Sequence, residues 1–306
     1  MKSGRFLALA AALMLAASCG NKTDAAKNLG APEAPASDKS APTGSLQWAV
    51  GGKWRMDAET ARDVWRHPVE TLEFFGVKNT DTVVEIYPGG GWYTAILGPW
   101  LKAGGGMLYA AHPDPASSPG AAANVAAYTE AFARRPEVYG KIEITIASPA
   151  SPGLAPDGSA DAVLTFRNIH NWMAGGYAEK IIADAYRALK PGGVLGVEEH
   201  RLPSTRDQDI SAATGYVSEA YVIQLAQSAG FVLEGSSEIN ANPKDNADHP
   251  LGVWMLPPNL RAPAATDPTA STYTADVYKA IGESDRMTLK FRKPAAAAAP
   301  DPAVPQ

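Results

Sequence analysis

The sequence contains a single cysteine, Cys19, among 306 residues. One thiol cannot form an internal disulfide or a thiolate-rich metal site, so both kinds of framework are excluded. Clustered basic residues are also missing, because the chain has no long run of lysine and arginine and its formal net charge is -5. Nucleic-acid binding depends on such basic patches, which displace counterions from the phosphates. The sequence therefore indicates a protein that does not bind nucleic acid.

The composition is that of a globular protein with low-complexity ends. The chain is 45% hydrophobic and 19% charged, which suffices for one sizeable core. We expect residues 46–293 to form one domain. Residues 20–45 are rich in Ala, Pro, Ser, Lys and Asp and are predicted to be a disordered linker, and the Ala/Pro tail 294–306 is predicted to be disordered as well.

The N-terminus has the features of an export signal. Two basic residues precede an apolar run over residues 6–17, which is shorter than a membrane-spanning helix, and small residues follow it. This order predicts a secretory signal peptide over residues 1–19. The segment Leu15–Cys19 resembles a bacterial lipoprotein cleavage box, which implies an exported, periplasmic protein anchored to the membrane by a lipid on Cys19. The alternative is an ordinary signal peptide that contains an unrelated cysteine.

Residues 81–97 predict a strand, a glycine turn and a helix. Val83 to Ile86 is a short apolar run around one carboxylate, which is typical of a buried parallel strand. Three glycines follow at 89–91, and an apolar helix then begins near Thr94. Glycine lets the backbone pass close under a ligand, and the first helical turn offers free N–H groups. The stretch is therefore predicted to hold a nucleotide-like ligand.

The same stretch resembles the first motif of class I S-adenosylmethionine-dependent methyltransferases, an acid followed by three alternating glycines. Here the motif is Glu85-x-Tyr87-x-Gly89-x-Gly91, with a tyrosine in place of the first glycine. Three segments together resemble a group of exported bacterial proteins described as predicted methyltransferases: residues 88–94, 167–172 and 283–291. The resemblance covers roughly residues 50 to 293. It implies methyl transfer from S-adenosylmethionine to an acceptor that we expect to be a small molecule.

The resemblance also implies a set of cofactor-binding residues. Glu85 would meet the amino group of the donor or a water beside its ribose, and Asn168 would lie next to the methyl donor. Further contacts are expected from the turn and its flanks: Tyr87, Pro88, Gly89, Gly90, Gly91, Trp92 and Tyr93. The acid that usually binds the ribose is missing from the end of the second predicted strand. Asp114 is the nearest candidate, and the alternative is a plain turn aspartate.

Polar residues follow the fourth and fifth predicted strands. Residues 167–172 come after a strand at 162–166, and residues 198–201 come after a strand at 194–197. Because open α/β sheets bind ligands at the carboxyl ends of their strands, these residues are expected to share a cleft. We predict His170 as a general base, with Glu199 or His200 behind it. The alternatives are a structural histidine that ties down a loop and, at 198–201, a salt-bridged rim.

Other polar residues are weaker candidates for a site. Arg62, Arg66 and His67 could point into a cleft, but solvated side chains explain them more simply. Asp245, Asp248 and His249 suggest metal ligands at first sight. No second histidine stands at helical spacing, so no metal site is predicted.

The order of strands and helices predicts a doubly wound, mostly parallel, seven-stranded α/β sheet of the Rossmann-like methyltransferase type, preceded by helices. The resemblance implies a closing antiparallel strand. Two other functions stay open. One is a catalytically inactive exported binding domain on the same fold. The other is a nicotinamide-dependent oxidoreductase, although its Gly-x-Gly-x-x-Gly fingerprint would require a glycine where Thr94 stands.

Overall fold

The computed structural model describes residues 41–295 of the protein. The predicted signal peptide, Cys19 and most of the predicted linker lie outside the described residues, as does the tail from residue 296 onward. Among residues 41–295, no helix is both long and apolar enough to cross a bilayer.

An eight-stranded sheet forms the centre of the described chain. Its strands are β1 (Thr82–Ile86), β2 (Met107–His112), β3 (Ile142–Ile146), β4 (Ala160–Phe166), β5 (Leu189–Leu202), β6 (Val217–Ser218), β7 (Val232–Ser237) and β8 (Arg286–Arg292). The order across the sheet is β3-β2-β1-β4-β5-β8-β7, and β6 pairs with the end of β5. The five strands β3, β2, β1, β4 and β5 are parallel to one another, whereas β8 is antiparallel to both of its neighbours, β5 and β7. The prediction of a doubly wound, mostly parallel sheet with a closing antiparallel strand is confirmed.

Helices cover both faces of this sheet. They are α1 (Leu46–Val50), α2 (Asp57–Thr60), α3 (Asp63–Arg66), α4 (Pro68–Phe75), α5 (Thr94–Gly104), α6 (Pro119–Tyr128), α7 (Pro136–Tyr139), α8 (Ile169–Gly175), α9 (Ala178–Ala188), α10 (Glu219–Ser228) and α11 (Ala275–Ile281). One hydrophobic core contains Trp172 and Ile181, and the other contains Phe75 and Leu97. Both faces of the parallel strands are therefore buried, as expected for such a sheet.

The predicted helices before the sheet are short. Residues 57–75 form three of them, α2 to α4. Pro68 begins α4, and His67 before it adopts a left-handed conformation with φ 38°. A proline disfavours the right-handed helical region for the residue that precedes it, so α3 and α4 cannot form one helix.

Strand β5 is much longer than the predicted strand at 194–197. It runs from Leu189 to Leu202 and so includes Glu198 and Glu199, which we expected to lie beyond its end. The antiparallel partner β8 pairs with residues 194–200, which gives these polar residues strand partners for their backbone groups. The two carboxylates therefore lie within the sheet.

Candidate functional site

A cavity of about 440 Å³ opens beyond the carboxyl ends of β1 and β4. This volume is within the range of about 300–1,000 Å³ that small-molecule sites occupy. Its wall is formed by the turn after β1, the segment after β4, His200 of β5, part of α2 and α3, and two later segments at 253–259 and 283–284. The cavity lies where open α/β sheets bind their ligands.

Most of the predicted site residues line this cavity: Glu85, Tyr87, Pro88, Gly89, Gly90, Trp92, Tyr93, Asn168, His170 and His200. Three predicted residues are not part of its wall. Glu199 lies behind His170, Gly91 faces the ring of Phe132, and Asp114 lies in the turn after β2. The roles of all these residues stay predictions.

Gly89 and Gly90 present bare backbone to the cavity. A Cβ atom added to either residue would meet no atom within 4 Å. At Gly91 an added Cβ would lie 2.2 Å from the ring of Phe132, and the backbone there is left-handed with φ 82°. The first two glycines therefore leave open space that a ligand could fill, whereas the third is required by internal packing.

Tyr87 occupies the position of the first motif glycine and adopts a backbone conformation that favours glycine. Its φ is 50°, which is in the left-handed region and costs roughly 1–2 kcal/mol for a residue with a Cβ. The side chain contributes compensating contacts. Its hydroxyl donates to the carbonyl of Ala147 at 3.0 Å and contacts the hydroxyl of Tyr177 at 3.2 Å, and its ring packs edge-on against Trp172. These contacts offset part of the backbone cost, so a tyrosine fits this turn.

Glu85 is a buried carboxyl group in the wall of the cavity. It is 2% exposed and accepts a hydrogen bond of 2.6 Å from the hydroxyl of Thr94, the first residue of α5. Burial raises its pKa to about 7, although Thr94 and the guanidinium of Arg167 act in the opposite direction. At neutral pH the group is therefore divided between its charged and neutral forms, and it can accept or donate a hydrogen bond.

Asn168 joins the ends of the two central strands at the cavity. Its side-chain amide donates to the carbonyls of Ile86 at 3.1 Å and Phe166 at 3.3 Å, the last residues of β1 and β4. Its neighbour Arg167 has a left-handed backbone with φ 62°, like Tyr87 at the end of β1. Strained residues of this kind concentrate at functional sites, where the surrounding structure holds them in place.

His170, Glu199 and His200 form one cluster. Nδ1 of His170 lies 3.1 Å from Oε1 of Glu199, a carboxylate that is completely buried. Glu199 also accepts the backbone N–H groups of Ile169 at 2.6 Å and His200 at 2.8 Å. Because a carboxylate only accepts, we assign the proton of the imidazole to Nδ1, which leaves Nε2 of His170 as an acceptor.

The cluster is also the group in residues 41–295 that could hold a metal ion. The potential ligand atoms of His170, Glu199 and His200 lie within 4.8 Å of one another. The two oxygens of Glu199 already accept backbone hydrogen bonds, so the carboxylate is better placed to orient the ring of His170 than to bind an ion. Asp245, which the sequence analysis considered and rejected as a metal ligand, accepts hydrogen bonds of 2.9 Å from the imidazole of His249 and the hydroxyl of Tyr216.

Glu198 is a buried anchor for two arginines beneath the cavity. It accepts from Nη1 of Arg167 at 2.6 Å and Nη1 of Arg286 at 2.8 Å, and from the hydroxyl of Tyr93 at 3.1 Å. Burial alone would raise its pKa, but the neighbouring guanidinium groups outweigh this effect and hold the pKa below its usual value. The alternative of a salt-bridged rim at 198–201 agrees with the ion pairs of Glu198, but Glu198 and Glu199 are both 0% exposed and so do not lie on a solvent-facing rim.

Glu283 anchors two more arginines that the sequence analysis favoured as solvated. It accepts from Nε of Arg62 at 2.6 Å and Nε of Arg66 at 3.1 Å. Burial would raise the pKa of Glu283, yet Arg66, Arg286 and Arg62 lower it to about 2. Arg66 itself is only 4% exposed, so the solvated interpretation is wrong for it. No local pattern indicated this, because the ion pairs join residues more than 200 positions apart.

The end of β2 differs from the expected ribose site. The carboxylate of Asp114 accepts the N–H of Ala116 at 2.8 Å and caps a short 3-10 turn, which is the geometry of a turn aspartate. The strand itself ends in His112, which is 2% exposed and packs against Tyr128. Burial lowers the pKa of His112 to about 4, so its ring is neutral.

The segments at 253–259 and 283–284 are wall residues that sequence reasoning missed. Trp254 lies with its ring 6.1 Å from the ring of His170, and Ser284 hydrogen-bonds to Nδ1 of His200 at 2.5 Å. The motif at 283–291 was part of the resemblance, and this was the only signal for its place in the site. The irregular segment at 253–259 carried no such signal.

No protein-family model and no curated protein matches this chain. Similar solved structures do exist. One is a protein of Galdieria sulphuraria proposed to be a sarcosine dimethylglycine methyltransferase, with 14% identity, a TM-score of 0.51, and coverage of 78% of this chain and 87% of that chain. Another is the cyclase SpnF, with 16% identity, a TM-score of 0.50, and coverage of 76% and 82%.

At these identities the likeness shows the fold alone. The chain has the Rossmann-like fold of class I methyltransferases, as its sheet order also indicates. The SpnF structure is that of a cyclase, so the fold does not determine the reaction.

Proposed function

We propose that this protein transfers a methyl group from S-adenosylmethionine to an acceptor, which we expect to be a small molecule. The observation that carries the proposal is the position of the bare backbone at Gly89 and Gly90. It faces the same cavity as the imidazole of His170. A donor and an acceptor bound in this cavity would therefore be adjacent to each other.

The residues present fit an adenosyl ligand. The space above Gly89 and Gly90 is open, Glu85 offers a carboxyl group that can accept from an amine or hydroxyl, and Trp92 and Tyr93 supply aromatic walls. The donor, once bound, supplies a methyl group that is already activated by its sulfonium. The protein has to align the acceptor and exclude water, and such positioning lowers a barrier by up to about 7–11 kcal/mol.

His170 is the proposed base for an acceptor that carries a proton. Its Nδ1 is held by Glu199, and Nε2 is therefore available to accept a proton from a group in the cavity. Glu199 stabilises the charged imidazole that results, and His200 lies beside it with a ring-to-ring distance of 5.4 Å. Glu199 and His200 are the residues we propose to support the base.

The test combines ligand binding with one variant. We expect titration calorimetry to detect S-adenosylmethionine and not NAD, and binding of NAD alone would favour the oxidoreductase instead. His170→Ala should leave donor affinity nearly unchanged and lower turnover about 100- to 10,000-fold, the usual contribution of a general base. Asn171→Ala, an exposed neighbour on α8, is the matched control. An equal loss of affinity and turnover in His170→Ala would mean that the histidine is structural.

A binding protein without activity is the second candidate. The predicted export signal favours it, because S-adenosylmethionine is made in the cytosol and an exported enzyme would need a supply. Radiolabelled donor incubated with the full chain and an envelope extract separates the two functions. Binding of the donor without any labelled product would support the inactive domain.

We also propose that the protein is exported to the periplasm and anchored there by a lipid on Cys19. The support is the N-terminal sequence, with its basic start, short apolar run and cysteine at the expected cleavage position. Metabolic labelling with a radioactive fatty acid should mark the wild-type protein and not Cys19→Ser. Labelling of both, or of neither, would contradict the anchor.

A further inference from the structure

The two carboxylates beneath the cavity hold more arginines than they neutralise. Glu198 pairs with Arg167 and Arg286, and Glu283 pairs with Arg62, Arg66 and Arg286. The cluster therefore contains four guanidinium groups against two carboxylates. An excess of buried positive charge is costly unless a further anion is bound to it.

Three of these arginines have unused donors. In Arg286 each of the three guanidinium nitrogens has an acceptor, namely the carbonyls of Ser284 and Trp65 and the carboxylate of Glu198. Arg62 and Arg66 each donate only from Nε, and Arg167 donates only from Nη1. Six guanidinium nitrogens are thus without an acceptor among residues 41–295.

These three side chains line the cavity. Arg66 matters most, because it is only 4% exposed. Its guanidinium lies over the ring of Trp92 at 4.7 Å, which fixes its plane. A buried arginine with two unpartnered nitrogens at a cavity wall is a prepared site for an oxyanion, which accepts paired N–H donors.

No other carboxylate of the cavity wall compensates for this charge. Glu59 accepts the backbone N–H of Met56, and Glu85 accepts the hydroxyl of Thr94. Neither forms an ion pair with an arginine within the part of the chain that the structure describes. In agreement with an unbalanced cluster, burial and the neighbouring Arg167 lower the pKa of Arg66 to about 9, and the group is still charged at neutral pH.

We propose that Arg62, Arg66 and Arg167 form an oxyanion subsite that binds a carboxylate or phosphate group of the methyl acceptor. The assignment of the bound anion to the methyl acceptor rests on the proposed function. The existence of the subsite does not depend on it. The donor has one carboxylate and two positive groups, so it adds positive charge to the cavity as a whole. An anionic acceptor is the ligand that balances the cluster.

The test uses the full chain, with inorganic phosphate and acetate as probes in titration calorimetry at low salt. The informative variant is Arg62→Gln, because Arg62 is the most exposed of the three and its loss leaves Glu283 paired with Arg66. We expect at least one probe to bind the wild type and to bind this variant about tenfold or more weakly, as for the loss of a charged hydrogen bond. Arg62→Lys should keep most of the affinity.

Arg134→Gln is the matched control, since Arg134 is a surface arginine with one ion pair to Glu130. It should bind both probes like the wild type. Thermal melting checks that each variant is folded. If the wild type binds neither probe, or if both glutamine variants lose affinity equally, the subsite is overturned.

A comparison of two methyl donors tests whether the anion bound by the subsite belongs to the acceptor and not to the donor. S-adenosylmethionine and its decarboxylated analogue should bind with similar affinity and should not compete with phosphate. Competition, together with a weaker decarboxylated analogue, would mean that the donor carboxylate fills the subsite and would overturn the assignment to the acceptor. If no donor binds but phosphate binding depends on Arg62, the subsite stands and the proposed methyl transfer fails.

Discussion

Burial determines how the individual residues around the cavity ionise. The sequence predicted that Glu85 lies just before the glycine turn. It did not predict that Glu85 is only 2% exposed or that it contacts Thr94, nine residues later. Its pKa is raised to about 7 mainly because burial disfavours the charged form. Conversely, Glu198 is kept charged by arginines from β8 and from the end of β4. Such environments follow from contacts that are distant in the sequence.

The raised pKa of Glu85 predicts a dependence of stability on pH. The unfolded group has a pKa near 4.5 and the folded group about 7, so the folded state binds more protons between these values. Stability therefore falls as the pH rises through this window, by roughly 3 kcal/mol in total. Glu85→Gln removes the ionisation, so it should be more stable than the wild type at pH 8 by up to this amount.

At pH 5 the Glu85→Gln variant and the wild type should differ by less than about 1 kcal/mol, because the folded carboxyl group is then already protonated. Denaturant unfolding at the two pH values measures both differences. Glu70→Gln, at an exposed position of α4, should show no such pH-dependent gain. A constant difference between Glu85→Gln and the wild type at both pH values would contradict the buried, neutral carboxyl group.

At the scale of elements, the turn between β1 and α5 combines two roles in adjacent residues. Gly90 leaves space on the cavity side, and Gly91 leaves space for Phe132 on the core side. The sequence predicted the turn and its position, since three glycines after an apolar run are a local signal. It did not separate their roles, because Phe132 comes from a π-helical turn about forty residues later.

Alanine substitutions should separate these roles. Gly90→Ala should change the free energy of unfolding by less than about 0.5 kcal/mol and weaken donor binding about tenfold, because the added methyl group occupies cavity space. Gly91→Ala should destabilise the fold by about 2 kcal/mol or more, since it combines a clash with Phe132 and a left-handed backbone. Chemical unfolding and donor titration measure both. A stable Gly91→Ala variant or unchanged donor binding by Gly90→Ala would refute the division.

For the whole molecule, β8 completes both the sheet and the site. It lies between β5 and β7, and its residues Met287, Leu289 and Phe291 are fully buried. It also brings Arg286 beneath the cavity, where Arg286 binds Glu198. The last strand is therefore structural for the fold and, through Arg286, holds Glu198, the carboxylate that also anchors Arg167 of the proposed subsite.

Removal of β8 should abolish folding. Burial of three large apolar side chains contributes roughly 1.5–3 kcal/mol each, which together with two lost strand pairings is comparable to the total stability of a domain. A chain that ends after Gly282 should be insoluble or should lack a cooperative unfolding transition in circular dichroism. A chain that ends after Ala295 keeps β8 and should unfold cooperatively. A folded, soluble protein from the shorter chain would contradict the central role of β8.

The sequence by itself determined the sheet, its parallel strands, the glycine turn and the edge of the sheet at which the cavity opens. These features depend on hydrophobic periodicity and local turn chemistry, which act over a few neighbouring residues. Only the tertiary structure decided that Glu198 is buried, that Arg66 faces the cavity, and that Asp114 caps a turn outside the cavity wall. The physical reason is that a charged side chain is buried only where distant residues supply its partners, and no local pattern records such partners.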